Sequence, residues 1–221
     1  MPVKFTWSYS NIELFDQCPH KYYRLKVAKD IKEPPSEHLN YGLQVHKVLE
    51  NFLKKDTPIP EKFSFLEDTA TQLKAYKGTK HCEYRMGLTR DLQPCEFFAR
   101  DVWWRGVVDL LVLDGEMAKV IDYKTGKSAK YADTKQLELL SLAVFKHFPE
   151  VKHIKAGLLF LVAKDFIKEK YDPSEADNRW KKWLDRTAQL EKTYEADVWN
   201  PSPNFTCRKY CPVKDCIYNG D

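Results

Sequence analysis

The sequence predicts an α/β fold in which helices flank a mixed central β-sheet. Three observations carry that expectation. Apolar residues recur at helical spacing through the first third of the chain. Short runs rich in β-branched and aromatic residues, broken by Gly or Asp-Gly, then crowd the stretch from His81 to Gly126. A helix, a strand and a further helix follow in alternation, an order suited to a sheet covered by helices.

From Ser8 to Val27, apolar residues at Ile12, Leu14, Phe15, Tyr22, Tyr23 and Leu25 read as helix, with Ser10 or Asn11 as a cap and a break at Pro19. IKEPPSEH is a loop. The segment YGLQVHKVLENFL places Tyr41, Val45, Val48, Leu49 and Phe52 on one helical face, and Phe65 to Lys77 reads as another helix. HCEYRMGL, CEFFARDVWW, GVVDLLVLDG and MAKVIDYKTG read as strands, the last two joined by a hairpin turn at Asp114-Gly115. Cys82 and Cys95, which fall among them, are expected in the core. A helix from Asp133 to Phe148, the strand IKAGLLFLVA, an edge strand near FIKEKY and a helix from Pro173 to Glu195 complete the order. Trp180 and Trp183, three apart on that helix, are expected to pack inward. The tail from Trp199 has no periodicity, so something other than side-chain packing must hold it.

With 221 residues the chain can bury one substantial core. A net charge of +4 is too small to prove a nucleic-acid partner by itself. No apolar run reaches the roughly 20 residues of a membrane span. The opening MPVKFTWSYS lacks the pattern of a secretory signal, so a soluble cytoplasmic protein is expected. In that compartment clustered thiols suggest a metal or iron–sulfur site before disulfides.

The chemistry concentrates on two neighbouring strands. Asp122 and Lys124, two apart, project from the same face. Asp109 lies across the hairpin, within reach of the same cation. Two hard oxygen ligands with room for water suit Mg²⁺ or Mn²⁺. An isolated D-x-K is common, but here it ends an apolar strand, precedes a Gly turn and follows an Asp on the adjacent strand. Glu83, on the first strand, reads as a surface charge and is left out of the site.

These residues carry a resemblance. The chain resembles the PD-(D/E)XK nuclease superfamily, in particular its RecB-type branch, which includes CRISPR adaptation nucleases and phage-encoded relatives. The match rests on Gly42-Leu43-Gln44-Val45-His46, Gly106-Val107-Val108-Asp109, Asp122-Tyr123-Lys124-Thr125-Gly126 and Gln136, in that order, and on Ser8-Tyr9-Ser10 through Cys18-Pro19. The resemblance implies a restriction-endonuclease-like core. His46, Asp109, Asp122 and the Tyr123 backbone carbonyl would be metal ligands, Lys124 the catalytic lysine, and Gln136 a positioning group. Leu140 stands where relatives often carry a tyrosine.

Cys18, Cys207, Cys211 and Cys216 resemble the thiolate set that binds a [4Fe-4S] cluster in several members, with Zn²⁺ as the alternative. A cluster there would tie together chain ends separated by almost the whole sequence. The expectation is one nuclease domain over residues 1–221, with residues 1–35 and 196–221 forming the cysteine region and 36–195 the catalytic core. The implied activity is a metal-dependent deoxyribonuclease, an exonuclease favouring single-stranded DNA or free ends. A structure-specific endonuclease and a non-catalytic DNA-binding or assembly subunit are the alternatives. Lys127 and Lys130 after the catalytic strand, and Arg105 beside Trp103 and Trp104, are candidate DNA contacts, since basic groups with aromatic faces suit a single strand.

Overall fold

The computed structural model describes residues 5–33 and 36–220. Residues 1–4, at the start of the N-terminal segment, and Pro34-Pro35, inside the expected IKEPPSEH loop, lie outside the described residues. The chain divides into two compact units, residues 36–180 and residues 1–35 with 181–221.

The first unit is built on a sheet of six strands, β1 (Thr79–Leu88), β2 (Pro94–Cys95), β3 (Trp104–Asp114), β4 (Met117–Lys124), β5 (His153–Phe160) and β6 (Asp165–Tyr171). Their order across the sheet is β2-β1-β3-β4-β5-β6. All neighbours run antiparallel except β4 and β5, which are parallel. A parallel pair needs a crossover, and the helix Lys135–His147 between those strands provides it. The turn between β3 and β4 is tight, pairing Asp114 with Met117, and Gly115 there takes φ 57°.

Unbroken burial from Val108 to Val112 shows that the central strand is covered on both faces. On one face Cys82, Leu110, Val112, Ile121 and Tyr123 form a core with Val45 and Leu49 of the helix Glu37–Lys55, and with Ala70 and Leu73 of the helix Glu67–Lys74. The crossover helix packs against β1, β3, β4, β5 and β6. The helix Glu37–Lys55 starts at Ser36, whose hydroxyl accepts the Leu39 amide, and stops at Asp56, which turns left-handed at φ 55°. Part of the helix expected from Phe65 is 3-10 instead: Glu61–Leu66 is 3-10 and the α-helix begins at Glu67.

The strand expected over CEFFARDVWW is reduced to the two residues Pro94–Cys95, and the phenylalanines after it lie in turns. Cys95 is consequently half-buried on the edge, whereas Cys82 is buried as expected.

In the second unit the helix Tyr9–Gln17 ends where Cys18 becomes extended. Pro19 disfavours helical backbone in the residue before it, and the next helix, Pro19–Tyr22, begins there and runs into a π-helical turn, Tyr23–Val27. Tyr22, Tyr194 and Trp199 pack together, and Arg186 pairs with Glu13 and Asp16. The helix Ala176–Ala196 starts in the sheet unit and ends in this one. Trp180 and Trp183 are both buried.

Gly106 of the G-x-x-D stretch has a packing role. A Cβ there would lie inside van der Waals contact of the buried Trp104 ring and 2.9 Å from Leu140 Cδ2. Gly106→Ala is therefore expected to destabilise the protein by about 1–3 kcal/mol, seen as a lower urea midpoint at unchanged m-value.

Candidate active site

For convenience the helices are α1 (Tyr9–Gln17), α2 (Pro19–Tyr22), α3 (Glu37–Lys55), α4 (Glu67–Lys74), α5 (Lys135–His147) and α6 (Ala176–Ala196). The site forms where β3 and β4 separate. Their ladder stops at Leu110 opposite Ile121, and β4 continues in register with β5 alone through Lys124. The next residue of β3 is Asp109. Its Oδ2 accepts the Tyr123 amide at 2.6 Å, so a side chain replaces the missing ladder bond. This satisfies a buried N–H and fixes the carboxylate.

Asp109 Oδ1 lies 3.3 Å from His46 Nδ1, which α3 delivers one helical turn beyond Gly42. Thr125 Oγ1 sits 3.4 Å from where a Gly42 Cβ would be, an ordinary contact distance, so α3 and the end of β4 lie close together there. The His46 ring also stands edge-on to Tyr123, with centroids 5.5 Å apart.

Glu83, set aside as a surface charge, belongs here. His46, Glu83 and Asp109 offer ligand atoms within 4.8 Å of one another. The pairing of β1 with β3 runs through Cys82–Leu110 and Tyr84–Val108 but skips Glu83 and Asp109, and Glu83 has φ 53°. Cys82 packs under α3 and α4, while Tyr84, two residues later, stacks on Phe148 at the end of α5. The left-handed residue thus breaks the period-two alternation from which the sequence was read. Such strain in a non-glycine residue is a recurrent mark of functional sites.

Asp122 and Lys124 share a face, as expected: Lys124 Nζ is 2.7 Å from Asp122 Oδ2 and donates to Gln136 Oε1 of α5 at 3.0 Å. The ammonium lies off the axis of a hydrogen bond, so the buried Oδ2 has no aligned donor. Burial, then the charge of Asp109, push the Asp122 carboxyl up to about 6 against the pull of Lys124. Glu83 is raised for the same two reasons. Burial lowers the pKa of His46, but the hydrogen bond and charge of Asp109, with Asp122 and Glu83 behind, outweigh it and leave the imidazole raised. Carboxylates whose ionisation is opposed by burial and by each other, beside an imidazole, form a donor set that fits a divalent cation. A cleft of about 380 Å³ lies between α3 and the β4 end, lined by His46, Tyr123, Lys124, Thr125 and Phe160, and it meets this group at His46 and Lys124.

Glu50, one turn beyond His46 on α3, is held by Lys47 and Lys54. Other expected residues fall elsewhere. Trp103 and Trp104 are buried, so neither presents a ring to a nucleic acid; they pack in the core. Arg105 lies instead beside Phe97 and Phe98. Lys127 and Lys130 are exposed in the loop after β4, with Lys130 over the exposed Tyr131 ring. Leu140 is buried.

In the other unit, Cys18, Cys207, Cys211 and Cys216 line one small cavity of about 10 Å³. Cys18 Sγ accepts the amides of Lys21 and Ser202, and Cys207 Sγ that of Asn204, each at 3.4 Å.

The model of the PD-(D/E)XK nuclease superfamily matches residues 6–216, and the chain belongs to that superfamily. It is therefore a nuclease by family, of a class that uses divalent metals and acts on DNA. Its fold is similar to the crystal structure of a protein from Eubacterium rectale named as a candidate exonuclease, with TM-score 0.57 and 12% identity over 96% of this chain and 89% of that one. The structure of SSO0001 matches with TM-score 0.49 and 13% identity over 99% of this chain and 89% of that one. The sequence matches no curated protein. No helix among the described residues is long and apolar enough to cross a membrane.

The raised Asp122 carboxyl gives a signed expectation for metal-free protein. Its folded pKa of about 6 lies above the ordinary 3.8, so the folded state holds this proton more tightly than the unfolded chain does. Its contribution to stability is present below the unfolded value and is lost as pH rises through the folded one. Asp122→Asn should accordingly gain thermal stability over the wild type between about pH 4 and about pH 7, the margin widening with pH. Paired melts across that range check it.

Proposed function

We propose that the protein is a Mg²⁺- or Mn²⁺-dependent deoxyribonuclease acting as an exonuclease on single-stranded DNA. The observation that carries this reading is Lys124 held between Asp122 and Gln136 beside the His46, Glu83 and Asp109 group. His46, Glu83, Asp109, Asp122 and the Tyr123 carbonyl are the ligand candidates. The donor set of carboxylates and one imidazole fits a hard divalent ion, and Asp122 Oδ2, which meets Lys124 as an ion pair without hydrogen-bond alignment, keeps capacity for one. When bound, the cation supplies Lewis acidity at the scissile phosphate and lowers the pKa of water.

The chain's own residues do the rest. Asp109, fixed by the Tyr123 amide, holds His46 at the edge of the cleft in one geometry. Lys124 Nζ orients the attacking water and stabilises charge developing on a phosphate oxygen. Gln136 keeps Nζ from rotating away. Hydrolysis in line would leave a 5′-phosphate and release a 3′-hydroxyl. The cleft beside His46 and Lys124 is where the strand would enter. Lys127 and Lys130 are placed to meet phosphates beyond it.

The four cysteines are proposed to hold a [4Fe-4S] cluster. Cys18 Sγ and Cys207 Sγ accept backbone amides, and hydrogen bonds to sulfur are a feature of iron–sulfur ligands. Tetrahedral zinc, at about 2.3 Å per sulfur, is the alternative occupant of the same four thiols.

Lys124→Ala should lower metal-dependent cleavage of end-labelled single-stranded DNA by about 10²–10⁴-fold with the far-UV circular dichroism of the fold retained; wild-type rates in that variant would remove the mechanism. Linear and circular single strands compared side by side test the end requirement, since cleavage of circles excludes an obligate exonuclease. Anaerobically purified protein should carry iron and sulfide with broad visible absorption, lost in Cys211→Ser; zinc without iron would replace the cluster by a zinc site.

A further inference from the structure

A second cluster of unusual composition sits on the sheet beside the carboxylates. Phe97 and Phe98, in the turn after β2, meet edge to face with centroids 4.9 Å apart. Arg85 of β1 places its guanidinium 5.5 Å and 5.9 Å from the two ring centroids, and Arg105 of β3 places its own 5.4 Å and 5.3 Å away. Two like charges therefore converge on one pair of rings. Phe98 is 71% exposed, a high value for a large apolar side chain.

No carboxylate pairs with either arginine among the described residues, and the buried Arg105 Nε has no acceptor. The contrast with other arginines is direct. Arg24 holds Asp30 and Asp215, Arg179 holds Glu138 and Glu175, and Arg186 holds Glu13 and Asp16. The ring faces offset part of the repulsion between Arg85 and Arg105, but an anion would do so more completely.

The platform has a fixed base. Gly87 lets the turn lie on β1, since a Cβ there would fall 2.9 Å from the Glu96 carbonyl and 3.0 Å from that of Cys95. The Trp103 amide returns to Leu88 O at 2.8 Å. Arg85 is two residues from Glu83 on β1, and Arg105 four from Asp109 on β3. At about 3.3 Å per residue those offsets are roughly 7 Å and 13 Å. They correspond to about two to four nucleotides at stacked spacing.

We propose that Phe97, Phe98, Arg85 and Arg105 form a subsite for single-stranded DNA, in which a base stacks on Phe98 and the two guanidiniums hold the flanking phosphates. The choice of DNA as occupant rests on the nuclease reading; the unpaired cations around an exposed ring do not. A duplex keeps its bases stacked on one another and cannot offer a free base face to Phe98, so the subsite selects unpaired strand. It lies beside the carboxylate site and adds the strand selection that the metal group alone does not supply.

The experiment measures equilibrium binding of full-length protein to fluorescein-labelled oligothymidylate and to a blunt duplex, by anisotropy without divalent metal, together with cleavage of both with Mg²⁺ or Mn²⁺. Phe98→Ala should weaken single-strand binding about 5- to 100-fold and duplex binding by far less, while Phe98→Trp retains it. Arg85→Gln should reduce the salt slope of single-strand binding by about one. Unchanged single-strand affinity in both Phe98→Ala and Arg85→Gln overturns the proposal and leaves the cluster to a protein partner. Equal losses on single strand and duplex overturn it as well. If the wild type cleaves neither substrate, the nuclease reading fails, while the binding comparison still decides the subsite.

Discussion

The hydrogen bond from the Tyr123 amide to the Asp109 carboxylate is the constraint on which the site depends. It forms where the ladder between β3 and β4 ends, and it allows β4 to leave β3 and follow β5 without orphaning a buried donor. The divergence gives His46 of α3 a route to Asp109 and leaves Lys124 beside Asp122 within reach of α5. A carboxylate in that position is both a structural acceptor and a negative charge in a poorly solvated place. Fold and chemistry therefore share one group.

That sharing has an electrostatic consequence. Asp109 raises the pKa of Asp122 and Glu83, both already disfavoured as anions by burial, and holds His46 above its usual range. Lys124 compensates only in part, since it is divided between Asp122 and Gln136. The arrangement is tense without a cation, which is the expected property of a site whose stability and activity both respond to divalent metal. Arg179 and Arg186, by contrast, are balanced by carboxylates beside them. The carboxylate group and the arginine–phenylalanine cluster carry the functional proposals.

Much of the fold was legible because its elements are locally consistent. The heptad-like spacing of α3, the turn at Asp114-Gly115 and the apolar strand ending in Asp122-Tyr123-Lys124 each announce themselves. Glu83 was not legible. Its position follows from a left-handed backbone in mid-strand, which no residue-type preference signals for a glutamate. Its place opposite Asp109 depends on the β1–β3 register. Trp103 and Trp104 misled for the opposite reason: aromatic residues beside Arg105 suit a binding face and a core equally well, and only packing chose the core. The phenylalanines that take the exposed role lie in a run that reads as strand but closes as turns.

By itself the sequence determined the chemical inventory: two acids and a lysine at strand spacing, a histidine one turn past a glycine, and four cysteines near the chain ends. Those follow from residue identity and from the fixed periods of helix and strand. The tertiary structure alone decided which acids share a site, which aromatic rings face solvent and that the four cysteines line one cavity. Those quantities depend on register, on one strained residue and on where two strands part, and they are properties of long-range packing that no local period encodes.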